Sequence, residues 1–506
     1  MADVTGCTEA ASPMVSDVEA VKPCPQAKRK WVLVVAILSS ALGFIDGSVV
    51  TIAVPAIRDG LSASFGEIQW VMNGYLLFLA AFILPAGALG DRFGQRDVIV
   101  IGLIVFVLMS ILCGLAQTPG QLIAARAAKG MAAALIVPGS MALIAKNFPA
   151  SERGAAIGLW SGASALTTAL GPVIGGLILQ LGGEEAWRLI FFLNLPLGGL
   201  AVLIALKMIP RDPGRQGASI DYGGGVLSAL GLGTLAYALT AISEGTGTSS
   251  AVMLIGVFAV MFILFLVVEA RRKDPMLPLG LFRSRGFSGV NAMTFLLYLA
   301  LGGMLFYAPI TLIEMHGLGE GVVALTFLPF TAVLALASRW TGGLADRVGL
   351  RAPLAFGAVL AGISFLAMGY AVLEGSFYGG VLPAMALLGV GMGFAIPPLG
   401  AAVMASVPEE RIGIASGVNN TVSRVSQLVA IGGLGLVAAL SYRAALPGAP
   451  PGLGFAEALP GAEKMAVVRA MGQGFFALTL VSMLLAFLSA AIAWFTQPGG
   501  KPVFRP

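Results

Sequence analysis

Gly87-Ala88-Leu89-Gly90-Asp91-Arg92-Phe93-Gly94-Gln95-Arg96 returns about 255 residues later as Gly342-Gly343-Leu344-Ala345-Asp346-Arg347-Val348-Gly349-Leu350-Arg351. Each copy closes one long apolar segment and immediately precedes another. A helix, a tight basic turn and a second helix, repeated at that distance, imply one helical bundle duplicated along the chain. Gly87 and Gly342 let neighbouring helices approach, and Gly94 and Gly349 permit a sharp bend. Asp91 and Asp346 suit a helix terminus, and the adjoining Arg92, Arg96, Arg347 and Arg351 are expected to latch the two halves together at one membrane face.

Around these turns the chain is very apolar: 58% of its 506 residues are hydrophobic and only 11% charged, against roughly 25% charged in soluble domains. A net charge of +5 does not indicate nucleic acid, because the basic residues are scattered over short turns and form no patch. Cys7, Cys24 and Cys113 have no disulfide or metal spacing, and His316 is the sole histidine. That removes most metal-site and triad chemistry, and an enzyme is not expected.

A membrane helix needs about 20 mostly apolar residues. Runs of that kind lie near 31–54, 68–89, 98–116, 121–145, 154–181, 189–209, 222–242, 251–270, 286–313, 321–344, 352–373, 378–404, 412–440 and 473–495, an expectation of fourteen transmembrane helices. A disordered polar tail over 1–30 and a short tail over 496–506 flank them. The first apolar run is too long for the core of a signal peptide and reads as a retained span. With a cytoplasmic amino end, only Arg58, Arg188, Arg443, Lys464 and Arg469 fall outside, while Arg126, Lys129 and Arg424 lie within spans. The other Lys and Arg residues are cytoplasmic, as the positive-inside rule requires, and both termini share that side. Both repeated turns also fall there. The spans divide into a six-helix bundle over 31–209, a linker over 210–285 with two extra helices, and a second six-helix bundle over 286–495. The Pro- and Gly-rich stretch 441–472 is the longest external loop.

Four further motifs sit on these spans. The first span reads Leu42-Gly43-Phe44-Ile45-Asp46-Gly47-Ser48-Val49-Val50-Thr51-Ile52-Ala53-Val54-Pro55, and the fourth holds Arg126-Ala127-Ala128-Lys129-Gly130. The fifth holds Gly171-Pro172-Val173-Ile174-Gly175-Gly176, and Trp187-Arg188-Leu189-Ile190-Phe191-Phe192-Leu193-Asn194-Leu195-Pro196 enters the sixth. In this order, with the duplicated turn, they resemble the major facilitator superfamily and its fourteen-span drug:proton antiporter branch over about residues 31–495. The resemblance implies an all-α fold of two six-helix bundles plus two linker helices. It implies proton-coupled efflux of small drug-like or antibiotic compounds across a bacterial cytoplasmic membrane, with Asp46 and Arg126 in proton coupling. It also implies that Gly171, Pro172, Gly175 and Gly176 belong to the helix associated with antiport. The partners expected are a small-molecule substrate, protons and the lipid bilayer, and the protein is expected to be monomeric, with no nucleic acid and no cofactor.

The residues carry their own physical argument. Asp46 lies about nine residues, some 13 Å, from the outer end of its predicted span. A charged acid at the centre of a membrane helix costs about 2.5–3.5 kcal/mol on insertion scales, and its proton affinity changes with its surroundings. It can therefore load a proton in one conformation and release it in another. Arg126 and Lys129 reach a similar depth on one face of the fourth span, and Arg126 is expected to pair with Asp46. Lys129 departs from the family, where glutamine is usual. Together with Arg424 it leaves three buried cations against one acid, which favours an anionic metabolite as an alternative cargo. Gly171 and Gly175 form a small-residue strip and Pro172 bends its helix. Asn73, Tyr75, Lys129, Trp160, Asn291, Tyr298, Tyr307, Asn419, Asn420, Arg424 and Gln427 are the polar and aromatic candidates for a cavity wall.

Overall fold

The structure, a computed structural model, describes residues 26–499 except 184, 213, 215–220, 244–247, 273–274, 409–410, 458, 460 and 462. The polar ends expected at 1–25 and 500–506 lie outside the described residues, as do the side chains of Gly342, Gly343 and Asp346.

The first half is built from α1 (Gln26–Gly60), α2 (Phe65–Phe93), α3 (Gln95–Leu115), α4 (Pro119–Asn147), α5 (Ala150–Gly182), α6 (Trp187–Phe192) and α7 (Asn194–Met208). Two helices follow, α8 (Tyr222–Ser243) and α9 (Thr248–Arg271). The second half holds α10 (Arg285–His316), α11 (Glu320–Leu325), α12 (Phe327–Val348), α13 (Arg351–Leu373), α14 (Leu382–Ala405), α15 (Ile412–Ala445) and α16 (Lys464–Thr496). Fourteen segments are long and apolar enough to cross a membrane, with α6–α7 and α11–α12 each counting as one broken span. Among the described residues there is no β-strand.

The expected spans are present, but several run longer. Chain entry to α1 is helical from Gln26, which corrects the expected disorder at 26–30; Arg29 Nη1 donates to both carboxylate oxygens of Glu152 on α5, each at 2.9 Å. At its other end α1 absorbs Pro55 within the helix and continues to Gly60. Asp46 is therefore about 14 residues, or 21 Å, from that end. It is deeper than a span ending before Pro55 would place it. Similarly α15 and α16 extend into 441–472 and shorten the loop between them to 446–463.

In the first lobe α2 packs on α4, α1 on α5 and α3 on α4; in the second α13 packs on α16, α10 on α16 and α12 on α14. The linker helices pack on each other, and α8 lies against both α2 and α15, touching both lobes. Most of α9 turns apolar side chains outward, Val260, Phe262, Ile263 and Leu264 among them. An apolar exterior on a helix that is apolar all round suits contact with lipid.

An even number of crossings between the repeated turns puts both at one end of the bundle, here called the basic face. Gly94 and Gly349 make the two bends with φ of +94° and +83°, a backbone region open to glycine at little cost.

Candidate transport site

Asp46 is wholly buried, at the centre of the first lobe. Its Oδ2 accepts from Arg126 Nη1 at 2.6 Å; its Oδ1 accepts from Lys129 Nζ and from Asn194 Nδ2, the latter at 3.2 Å. Arg126 and Lys129 are also wholly buried. The three-residue spacing on α4 presents both cations to one carboxylate. Asn194 reaches it because the sixth span breaks at Leu193, so that α7 begins with Asn194 beside α1.

The cations are further held in place. Arg126 Nε donates to Val71 O at 3.0 Å, and its guanidinium carbon lies 4.5 Å from the Tyr75 ring centroid. Lys129 Nζ sits 4.6 Å from the Phe106 ring and 5.2 Å from the Phe191 ring. These aromatic faces supply cation–π attraction in a site without water competition. The Tyr75 hydroxyl donates to Gly43 O at 3.2 Å. Tyr75 and Lys129 are thus components of the ion-pair cluster rather than open cavity wall, which corrects the expectation for both.

A buried carboxylate held by two cations is tolerated only while every charge keeps a partner. A proton arriving on Asp46 leaves Arg126 and Lys129 without an anion. The cluster must then rearrange, so that protonation and local geometry are linked.

Arg424, on α15, is the remaining cation within a span and is partly exposed. Its Nη1 donates to Gln427 Oε1 at 3.1 Å, and its guanidinium carbon lies 5.6 Å from the ring of Phe44 on α1. Its Nε has no partner among the described residues. Phe44, Tyr298, Asn420, Arg424 and Gln427 are all partly exposed. Trp160 donates through Nε1 to Ser140 Oγ at 3.1 Å. Of the other expected wall residues, Asn73, Asn291 and Tyr307 are buried and Asn419 is partly exposed. Asn291 and Asn419 form a staple between α10 and α15, in which Asn419 Nδ2 donates to Asn291 Oδ1 at 3.1 Å and to Thr294 Oγ1 at 2.8 Å. Asn73 is wholly buried, and neither end of its amide has a partner among the described residues.

Tyr307 is displaced furthest from its expected role. It helps seal the lobes at the face opposite the basic one. Its hydroxyl donates to Ile431 O at 2.6 Å and accepts from Gln69 Nε2 at 2.9 Å. Phe455, in the loop 446–463, is buried against Phe65, Tyr307 and Tyr442, with ring centroids 5.7–6.3 Å apart. Arg58 Nη1 donates to Ala456 O at 3.3 Å. The loop therefore folds inward between the lobes as a plug.

The small-residue strip of α5 is used at both of its edges. A Cβ added to Gly171 would lie 2.0 Å from Ser48 Oγ, and one on Gly175 would lie 2.7 Å from Ile52 Cγ2, so α5 meets α1 one turn from Asp46. One on Gly176 would lie 2.3 Å from Ala324 Cβ of α11, across the lobe boundary. Pro172 is buried within the helix.

Among the described residues, no ion pair or hydrogen bond of the basic turns joins the lobes. Arg96 pairs with Asp97 at 2.5 Å and donates through Nη2 to Leu206 O at 3.0 Å, while Asp91 pairs with Lys146 at 3.2 Å. Arg92 lies over the Phe93 ring. Asp212, from the linker, accepts from the Gln95 and Arg96 backbone N–H groups at 2.8 and 3.0 Å, capping α3. In the second copy Arg347 is exposed, and Arg351 Nε donates to Gln497 O at 2.9 Å. Each turn is tied to its own lobe, with the linker added to the first. Gly87 has open space where a Cβ would stand, so the close approach expected there is absent.

Fold and site together define a two-lobed membrane transporter, with a buried ion-paired carboxylate in one lobe and Arg424 of the other lobe facing Phe44 across their boundary. The family model of the Major Facilitator Superfamily matches residues 36–431, and the chain belongs to that superfamily, whose members are transporters rather than enzymes. It is 33% identical over 408 residues to the multidrug resistance protein Stp of Mycobacterium tuberculosis, covering 80% of this chain and 74% of that protein. It is 31% identical over 415 residues to a methylenomycin A resistance protein of Bacillus subtilis, covering 81% and 88%. A tetracenomycin C resistance and export protein of Streptomyces glaucescens is 31% identical over 399 residues, 78% of this chain and 73% of that one. Among solved structures, a bacterial homologue of the lysosomal transporter Spinster superposes with a TM-score of 0.65 at 17% identity, covering 93% of this chain and 97% of that one. A D-xylose-proton symporter gives 0.64 at 15% identity, covering 93% and 98%.

Proposed function

We propose that this protein exports small drug-like or antibiotic molecules across a bacterial cytoplasmic membrane by alternating access, in exchange for protons. The observation that carries the coupling is the wholly buried Asp46 and its ligation by Arg126, Lys129 and Asn194. The names of the relatives, resistance and export proteins, support the direction of transport and the kind of cargo. The distribution of basic residues supports a cytoplasmic basic face with both termini on that side. In this reading the carrier is a monomer whose lobes, near 31–209 and 286–495, rock about their boundary while the linker near 210–285 stays with the first lobe through Asp212.

Asp46 is the proton carrier, and Arg126 and Lys129 sense its charge. With the carboxylate ionised the cluster is locked. Protonation releases the two cations, and their rearrangement at the α1–α5 contact is what changes access. Gly171 and Gly175 let α5 follow α1 at close range. The test is export into purified proteoliposomes under an imposed pH gradient, using cationic, neutral and anionic compounds. Asp46→Asn should abolish gradient-driven export while the protein still inserts. Undiminished export by that variant removes Asp46 from the mechanism.

A further inference from the structure

The export reading leaves Arg424, a partly exposed arginine within the span formed by α15, without a role. Asp46 engages Lys129 and Arg126, but Arg424 has no carboxylate within 4.0 Å among the described residues. A lone arginine at membrane depth is costly, and where it persists it marks a pathway or a ligand. Its surroundings narrow the choice. One edge of the guanidinium is tied to Gln427, its plane stands near the Phe44 ring, and its Nε is left with an undirected N–H. Tyr75 and Tyr298 are its electrostatic neighbours. The Tyr298 side chain is partly exposed. Phe44 belongs to the first lobe and Arg424 to the second, so the gap between them is an interlobe position.

We propose that Arg424, with Phe44 and Tyr298, forms the subsite for the acidic group of an aromatic organic anion, so that the exported compounds include aryl carboxylates and phenolates. The proposal rests on the export reading for its biological sense, although the binding chemistry stands independently of it. Guanidinium is the group best shaped to hold a carboxylate, through paired N–H donors. The aromatic side chains supply flat apolar surface for the rest of the molecule. Lys129 takes no part, because its ammonium is already committed to Asp46; a substrate anion reaching for it would have to displace that carboxylate. Charge arithmetic agrees. Three formal cations and a single formal anion leave the transport core positive, and a monoanionic guest reduces that excess whereas a cationic guest increases it.

The experiment compares 2-naphthoate with its neutral isostere 2-naphthamide and with 2-naphthylmethylammonium, by equilibrium binding to the purified full-length protein in nanodiscs. Naphthoate is expected to bind at least tenfold more tightly than the amide, and the cation more weakly still. Arg424→Gln should bring the naphthoate-to-amide ratio to about one, and Arg424→Lys should keep part of it. Phe44→Ala should weaken all three probes alike. Equal binding of acid and amide by the wild-type protein overturns the proposal, as does preference for the cation, a ratio that Arg424→Gln leaves unchanged, or no naphthoate binding at millimolar concentration. The wild-type comparison needs no variant, so poor folding of Arg424→Gln does not blunt it. Failure of proton-driven export with an intact naphthoate preference would count against the coupling reading alone, and the reverse pattern against this subsite alone.

Discussion

Replacing Asp46 by Asn, Lys129 by Gln, and both together asks whether the carboxylate and its cations form one energetic unit. In the single Asp46→Asn variant, Arg126 and Lys129 face a neutral amide in a wholly buried site. Removing one partner of a buried pair costs about 3–5 kcal/mol, because the remaining charge stays desolvated. Lys129→Gln is milder. Asp46 keeps Arg126 at 2.6 Å and Asn194 at 3.2 Å, so the loss is that of one charged hydrogen bond, about 1.5–3 kcal/mol. The double variant removes an anion together with one of the cations it would have orphaned. Its destabilisation should therefore fall below the sum of the singles by about 1–3 kcal/mol, the range expected for residues in one network. Unfolding titrations in mixed micelles, with identical protein handling, give the three values. Additive losses, or an Asp46→Asn protein as stable as the wild type, would show that the charges do not depend on one another and would refute the linkage between protonation and geometry.

Gly171→Ala should cost about 1–3 kcal/mol by overpacking, because its Cβ would stand 2.0 Å from Ser48 Oγ; addition of Ser48→Gly should restore much of the lost stability and export, and no rescue would dissociate the strip from α1. Tyr307→Phe removes the hydroxyl that joins Gln69 to Ile431 O. Loss of those buried bonds, about 1–3 kcal/mol, should raise labelling of an Asn420→Cys probe from the outer face by roughly tenfold; an unchanged labelling rate would mean that the seal lies elsewhere.

Much of this was readable from the chain because a membrane span announces itself by length. The fourteen crossings, the bends at Gly94 and Gly349 and the Asp46–Arg126 pairing all follow from apolar run length, glycine position and depth. Rotation about a helix axis is harder to read. Lipid and protein interior are both apolar, so no polar stripe tells which way Tyr75 or Tyr307 faces, and both turned out to be packed. Asn194 was hidden within the span-entry motif, since only the break at Leu193 brings it to Asp46. Phe455 was overlooked in a Pro- and Gly-rich loop; a lone aromatic there was the available signal. Asp212 carries no sequence signal of its own, because its capping of α3 exists only in three dimensions.

If the carrier works as proposed, in a cytoplasmic membrane and in exchange for protons, the uncompensated charge in its core also couples it to voltage. An aqueous opening carries the electrical potential of its own side inward, so alternating access moves the core's formal +2 across most of the field without displacing any side chain far. At about 2.3 kcal/mol per elementary charge per 100 mV, an inside-negative cell draws the empty carrier toward its cytoplasm-facing state with up to about 4.6 kcal/mol per 100 mV. A monoanionic passenger halves that pull. The resting potential would then return the unloaded protein to its loading side and resist a loaded one less, so that part of the work of each cycle comes from the battery of the membrane rather than from the proton gradient.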